Sequence, residues 1–354
     1  MSVNRNSSFE LLRIIAMLMI VLHHLCLYAC SNIVNPVVDL AKNLMIPGGK
    51  IGVDLFVLIS GYFLSRGSIR SISLLKTISA AWFYAFTLGV FCAFLYIDQF
   101  EMAIFVKSFM PCEGGLPWFV TAYLGMYLVS PWLSKLADNL DLYQFKCMIS
   151  VGILMFTVVP MFPGCSFVTS NFAWFCFLFF VACFIRRFGI SKTIATRLAV
   201  WGFCFLLFAI VVGEIAEFHH HDCMNFVLSH VSSMNAAPAF MIAVGVFCLF
   251  GRLQLGSIYW LNSIAQCTFG VYLIHENTFI RVLLWPSFQS VFDHGLLLMV
   301  LSALLSTVLV FSICAGVDFI RIRLVEKPLF RLLGNRFAFS FARIDRFLNG
   351  SPAA

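Results

Sequence analysis

Apolar residues in this chain come in long unbroken blocks, and polar residues gather between the blocks instead of alternating within them. Runs of about 17–25 apolar residues match the length of a helix that crosses a bilayer. Ten such runs centre on residues 11–30, 51–65, 77–97, 116–133, 147–162, 171–185, 198–213, 231–250, 258–280 and 296–320, the second and sixth being short. A period of two, which a transmembrane barrel strand requires, is missing from them. The pattern therefore predicts an all-α, polytopic transmembrane helix bundle of about ten spans. The first run carries Arg13, His23 and His24 and has no small-residue cleavage site, so it is expected to stay in the protein and not to act as a removed signal. No linker, repeat or low-complexity stretch divides residues 1–354, which predicts a single membrane domain with a core of about 9–330 and a short basic tail.

Composition agrees: 61% of the 354 residues are hydrophobic and 11% are charged, against about 25% charged in soluble domains. The formal net charge of +7 is informative through its placement. With both ends on the cytoplasmic side, the inner segments hold Arg5, Arg13, Arg66, Arg70, Lys76, Lys135, Lys146, Arg186, Arg187, Lys192, Arg197, Arg252, Arg321, Arg323, Lys327, Arg331, Arg336, Arg343 and Arg346. Only Lys42, Lys50, Lys107 and Arg281 fall outside. Such an asymmetry is what cytoplasmic loops show, and it predicts cytoplasmic termini and no nucleic-acid partner. Thirteen cysteines sit singly with no C-x-x-C pair, which reads as packing and predicts neither a metal site nor a disulfide framework.

An ionisable residue within a span costs at least about 2.5–3.5 kcal/mol to insert, so each is a functional candidate. Arg13 and His24 are eleven positions apart, three helical turns plus about 20°, with a rise of roughly 16 Å. They share a face that runs from the cytoplasmic side into the outer half of the bilayer. Arg13 is either a snorkelling anchor or a ligand for an anionic group. His23 points about 100° away from His24, toward another neighbour. Asp54, near the outer end of the second run, is read either as a carboxylate that orients a histidine or as a helix-start residue near the headgroups. His275 and Glu276 lie toward the outer end of the ninth run and are expected at the same cavity, although Glu276 also suits an interface. Trp118, Tyr123, Tyr127 and Trp132 are interface aromatics or part of a sugar site. Arg66, Arg70 and Lys76, like Arg186 to Arg197, would attract a polyphosphate at an inner mouth or simply obey the charge asymmetry. The outer run His219, His220, His221, Asp222 and Cys223 reads as a solvated loop, since consecutive residues do not converge on one ion.

These residues carry a resemblance. Phe9-Glu10-Leu11-Leu12-Arg13 running to His23-His24, then Gly52-Val53-Asp54-Leu55-Phe56 leading to Ser60-Gly61-Tyr62-Phe63, resemble the opening motifs of the acyltransferase-3 family of multi-pass membrane O-acyltransferases. Trp118-Phe119, Tyr127-Leu128-Val129-Ser130-Pro131, Phe269-Gly270-Val271-Tyr272-Leu273-Ile274-His275 and Glu326-Lys327-Pro328 follow in that family's order. The resemblance implies transfer of an acyl group, most often acetyl, from cytoplasmic acyl-CoA as co-substrate, with no bound cofactor, to a hydroxyl of a glycan or lipid-linked saccharide in the bacterial inner membrane. His24 would be the catalytic histidine and Arg13 the donor-side arginine. Asp54, Ser60, Gly61, His275 and Glu326 match motif positions. Two departures stand out: Glu276 replaces the usual proline after His275, and the basic motif after the second span is only loosely represented. Homo-oligomers or glycan-assembly partners fit such a protein. A glycolipid or polysaccharide transporter, which would move substrate without consuming acyl-CoA, is the competing class, and a structural subunit of a glycan-export complex is the third.

Overall fold

A computed structural model of the chain describes residues 6–29, 33, 35–65, 68–96, 98, 100–110, 115–162, 170–218, 231 and 233–350. Within them every regular element is helical. In chain order these are α1 (Ser7–Tyr28), α2 (Pro36–Leu64), α3 (Ser71–Leu95), α4 (Met102–Lys107), α5 (Trp118–Asn139), α6 (Leu142–Ile153), α7 (Asn171–Phe188), α8 (Lys192–Phe218) and α9 (Ala237–Phe250). They are followed by α10 (Tyr259–Ala265), α11 (Thr268–His275), α12 (Thr278–Leu284), α13 (Leu296–Arg321), α14 (Lys327–Arg336) and α15 (Ala338–Leu348). Among the described residues, seven helical stretches are long and apolar enough to cross a membrane: those beginning at Ser7, Pro36, Ser71, Leu142, Asn171, Lys192 and Leu296.

Three of the expected segments differ from their sequence reading, the eighth being only the 14-residue helix α9, outside the seven long stretches. The second is much longer than residues 51–65. Asn35 accepts a hydrogen bond from the Val37 backbone N–H, and Pro36 occupies the first turn, where its missing N–H costs nothing. The helix then runs 29 residues, about 43 Å, through Pro47 to Leu64. Asp54 consequently lies deep inside α2 and not at its start, so the helix-dipole explanation for that carboxylate fails. The ninth is not one rod but three short helices. The chain turns at Gln266–Cys267, where Cys267 N–H reaches back to Ile264 O, and again at Glu276–Asn277, where Asn277 N–H bonds Ile274 O and its side chain caps α12 through the Phe279 N–H. A broken helix at membrane depth is stable only where it lines a cavity or is wrapped in protein, and here most of α11 is buried.

Helix α1 is the hub. It lies along α2 over most of its length and also touches α9, α10, α11 and α13. The close α1–α2 approach depends on Gly52, because a Cβ there would stand 2.6 Å from the Ala16 carbonyl oxygen. Small residues at such a crossing let two backbones meet where the bilayer supplies no hydrophobic drive. The basic tail folds back on the bundle. Asp345 accepts from the Ser71 N–H at 2.6 Å, Asn349 pairs with both the N–H and the carbonyl of Ile69, and the start of α3 is thereby held under α15.

Candidate functional site

Local sequence places His24 in the last turns of α1, and the chain break after α11 places His275 and Glu276 beside it. His24 Nδ1 lies 2.9 Å from His275 Nε2, and His275 Nδ1 lies 2.6 Å from the Val271 carbonyl oxygen one turn earlier on α11. Glu276 Oε2 is 3.5 Å from His24 Nδ1 and has no hydrogen-bond partner, whereas Oε1 accepts from the Tyr28 hydroxyl at 3.1 Å and from Arg281 at 3.3 Å. Tyr28 stacks on the His24 ring at 5.6 Å, one helical turn further along α1. Trp285, fully buried, closes the far side against His275 and Tyr28. The result is a buried imidazole held by a second imidazole, with a carboxylate alongside.

Asp54 does not hold His24. Its Oδ1 accepts from the indole N–H of Trp174 on α7 at 2.9 Å, and no bond joins it to the histidine. The physical reason is depth along α2: Asp54 turns toward α7, and α1 meets α2 instead through Gly49 and Gly52, with Gly49 directly against the His23 side chain. The groups next to the His24 ring are instead His275, at 2.9 Å, and Glu276, at 3.5 Å. Asp54 is fully buried and its Oδ2 is unpartnered, so the indole is its hydrogen-bonded support. Trp174→Phe is expected to cost about 1–3 kcal/mol by orphaning that oxygen. Asp54→Asn, which keeps an acceptor for the indole, should cost less. Melting temperatures of the purified variants measure both, and an unchanged midpoint in Trp174→Phe would show that the bond carries no weight.

The remaining candidates separate into groups. His23 Nδ1 donates to the Ile46 carbonyl at 2.6 Å, its ring 5.2 Å from that of His24, so it faces α2 as the 100° rotation predicts. Arg13, Ser60 and Tyr123 line a cavity of about 270 Å3 together with Met17, Ile20 and Tyr272. Residues 13, 17 and 20 of this lining continue at the same spacing to 24, which is the shared face expected for Arg13 and His24. Tyr272 bounds the cavity and packs on the edge of the His275 ring at 6.0 Å. Arg13 pairs with Glu10 at 3.0 Å and keeps part of its side chain exposed. Trp118 stands apart, partly exposed, with Lys50 Nζ 5.9 Å from its ring centre. Arg70 is exposed, and its backbone meets the Tyr127 hydroxyl. Arg66 and the His219–Cys223 run lie outside the described residues.

Four groups at the site were not foreseen as such: Tyr28, Lys50, Arg281 and Trp285. Lys50 is close enough to act electrostatically on His24, Asp54 and Glu276. Helical spacing does carry a signal for two of them, since Lys50 precedes Asp54 by four residues and Tyr28 follows His24 by four. A second polar network lies at the opposite end of the bundle. Asp318 Oδ1 accepts from Tyr84 and from Arg321 Nε, both at 2.7 Å, and Arg321 also reaches Glu326 at 2.9 Å. It borders a cavity of about 290 Å3 with Lys76 and Lys327 on its wall. Gly270 makes room for this network, because any Cβ there would overlap the Asp318 carboxylate. The two cavities share Thr77, Gln266 and Phe269, so they adjoin.

Compared with known proteins, the chain matches a model of the acyltransferase-3 type, described as an acyltransferase domain, over residues 6–317. No curated protein matches the chain, and no solved structure does.

Proposed function

The chain belongs to the acyltransferase-3 family, and from that premise we propose that this multi-pass membrane acyltransferase carries an acyl group, acetyl in the first instance, from cytoplasmic acyl-CoA to a hydroxyl of a cell-surface glycan or lipid-linked sugar. The observation that supports this reading best is the cavity lined by Arg13 at one side and by Tyr272 at the other, Tyr272 in turn packing on His275, the partner of His24. A long donor with an anionic head and a reactive thioester tip has that shape. Arg13, and across the adjoining cavity Lys76 and Lys327, would meet the phosphates. Trp118, partly exposed beside Lys50, would meet the sugar, and Tyr123 lines the cavity with Arg13. The bacterial inner membrane is the setting this chemistry calls for, since the donor is made in the cytoplasm and the acceptor faces outward.

An alcohol is a weak nucleophile near neutral pH, and attack on a thioester requires a base. His24 Nε2 takes the acceptor's hydroxyl proton as the oxygen bonds to the carbonyl carbon. The tetrahedral adduct then collapses with rupture of the C–S bond, and the departing thiolate recovers the proton from the His24 imidazolium. Glu276 Oε2, 3.5 Å from the ring, offsets the positive charge while it exists.

The test is transfer of label from acetyl-CoA into glycan and lipid fractions by membranes containing the protein, with succinyl-CoA in parallel. Label in a glycan fraction is the expected result. Substrate movement across the membrane with no donor consumed would replace the reading with that of a transporter. Arg13→Lys should raise the KM for acyl-CoA about tenfold, because a point charge replaces a planar fork that grips phosphate with two parallel bonds. An unchanged KM would make Arg13 an anchor only.

A further inference from the structure

The partners around the histidine pair dictate which ring nitrogens carry hydrogen. A backbone carbonyl accepts and never donates, so His275 Nδ1, 2.6 Å from Val271 O, holds a hydrogen. In a neutral imidazole the other nitrogen is then a bare acceptor. That nitrogen, His275 Nε2, faces His24 Nδ1 at 2.9 Å. The contact is a hydrogen bond only when His24 Nδ1 supplies the hydrogen, and His24 Nε2 is then left with a bare lone pair. Glu276 does not compete for this assignment, because 3.5 Å is beyond a good hydrogen bond and its better-held oxygen is occupied by Tyr28 and Arg281.

We infer that His275 is a positioning residue: by donating its Nδ1–H to the Val271 carbonyl it presents a bare Nε2 that holds His24 in the Nδ1–H tautomer, and so keeps His24 Nε2 as the base that receives the acceptor's proton. This rests on the acyltransferase reading for its chemical purpose, while the tautomer itself rests on the geometry alone. In serine hydrolase triads one carboxylate both orients the histidine and balances its charge. Here the two tasks are divided, with orientation assigned to His275 and charge balance to Glu276. The division explains how a site with no carboxylate hydrogen-bonded to His24 still selects one tautomer. It also explains the chain break at Glu276–Asn277: ending α11 at His275 lets two consecutive residues face the same ring from different directions.

The experiment combines a spectroscopic and a kinetic readout on the purified full chain. With histidine labelled by 15N, the His24 signals are assigned by their loss in His24→Ala. In the wild-type protein Nδ1 is the protonated nitrogen of His24. His275→Gln places an amide oxygen near the position of Nε2 and preserves that tautomer, whereas His275→Leu releases it into a mixture. In acyl transfer, His275→Leu lowers kcat about 100-fold or more with the KM for acyl-CoA within about twofold, and His275→Gln recovers to within about tenfold of wild type. Hydrogen on His24 Nε2 in the wild-type protein overturns the inference, as does a tautomer unmoved by His275→Leu or a glutamine variant as slow as the leucine one. Should His275→Leu fail to fold, the wild-type and His275→Gln spectra decide the matter. If no acyl transfer is found, the acyltransferase reading falls and the tautomer measurement still judges the positioning of His24 by His275.

Discussion

His24→Ala loses acyl transfer by about 10^2–10^4-fold, the range that general-base catalysis contributes, and does so in a folded, inserted protein. His24 is 8% exposed near the end of α1, so removal of its imidazole opens a small gap among Tyr28, His23 and His275. It also leaves His275 Nε2 without its donor, at a cost of about 1–3 kcal/mol. That is a modest fraction of a bundle in which α1 packs against α2 over most of its length. Neither neighbouring histidine is placed to replace the lost base, because His23 is turned onto Ile46 and His275 donates to Val271. The measurement is label transfer from acetyl-CoA in matched membranes, with the melting midpoint of the purified variant as the control for folding. Transfer at wild-type rate would remove His24 from the chemistry and with it the mechanism above.

Arg321→Leu is expected to be the most destabilising single change, at about 3–5 kcal/mol, the cost of stranding one partner of a buried ion pair. Asp318 is fully buried and already has one oxygen without a partner. Taking away Arg321 leaves only the Tyr84 hydroxyl on the other oxygen and releases Glu326 from its 2.9 Å contact. The double change Asp318→Asn with Arg321→Leu should recover most of the loss, since the uncompensated charge is gone. Melting midpoints of the wild type, Arg321→Leu, Asp318→Asn and the double variant in one detergent give the answer. Additive losses, or no loss in Arg321→Leu, would show that the buried Asp318–Arg321 pair within α13 is not what keeps the Tyr84–Asp318 contact to α3 in place.

How much of this was legible in the chain depends on how far apart the interacting residues are. Arg13 and His24 share a face because eleven residues is a local helical interval, and the cavity lining at 13, 17 and 20 follows it. The direction of His23 followed from the same arithmetic. His275 and Glu276 were visible as rare ionisable residues in an apolar run. What they touch was not visible, since 251 residues separate His275 from His24 and 120 separate Trp174 from Asp54. A carboxylate expected at a depth comparable with His24 invited an Asp54–His24 pairing, and the geometry of α2 against α7 rules it out. The extension of α2 through Pro47 and the breaks in the ninth segment were also hidden. Proline and polar residues there read as boundaries or as continuous apolar sequence until neighbouring helices supply the missing hydrogen bonds.

The sequence by itself determined an all-α membrane bundle, the family motifs in their order, and the stripe that leads from Arg13 to His24, because bilayer thickness and the helical repeat act over short stretches of chain. Only the tertiary structure decided that His24 leans on His275 and lies beside Glu276, and that Asp54 belongs to Trp174 instead. Those pairings depend on how α1, α2, α7 and α11 cross, which is set by close approach at Gly52 and by turns whose dangling backbone groups are satisfied by distant partners.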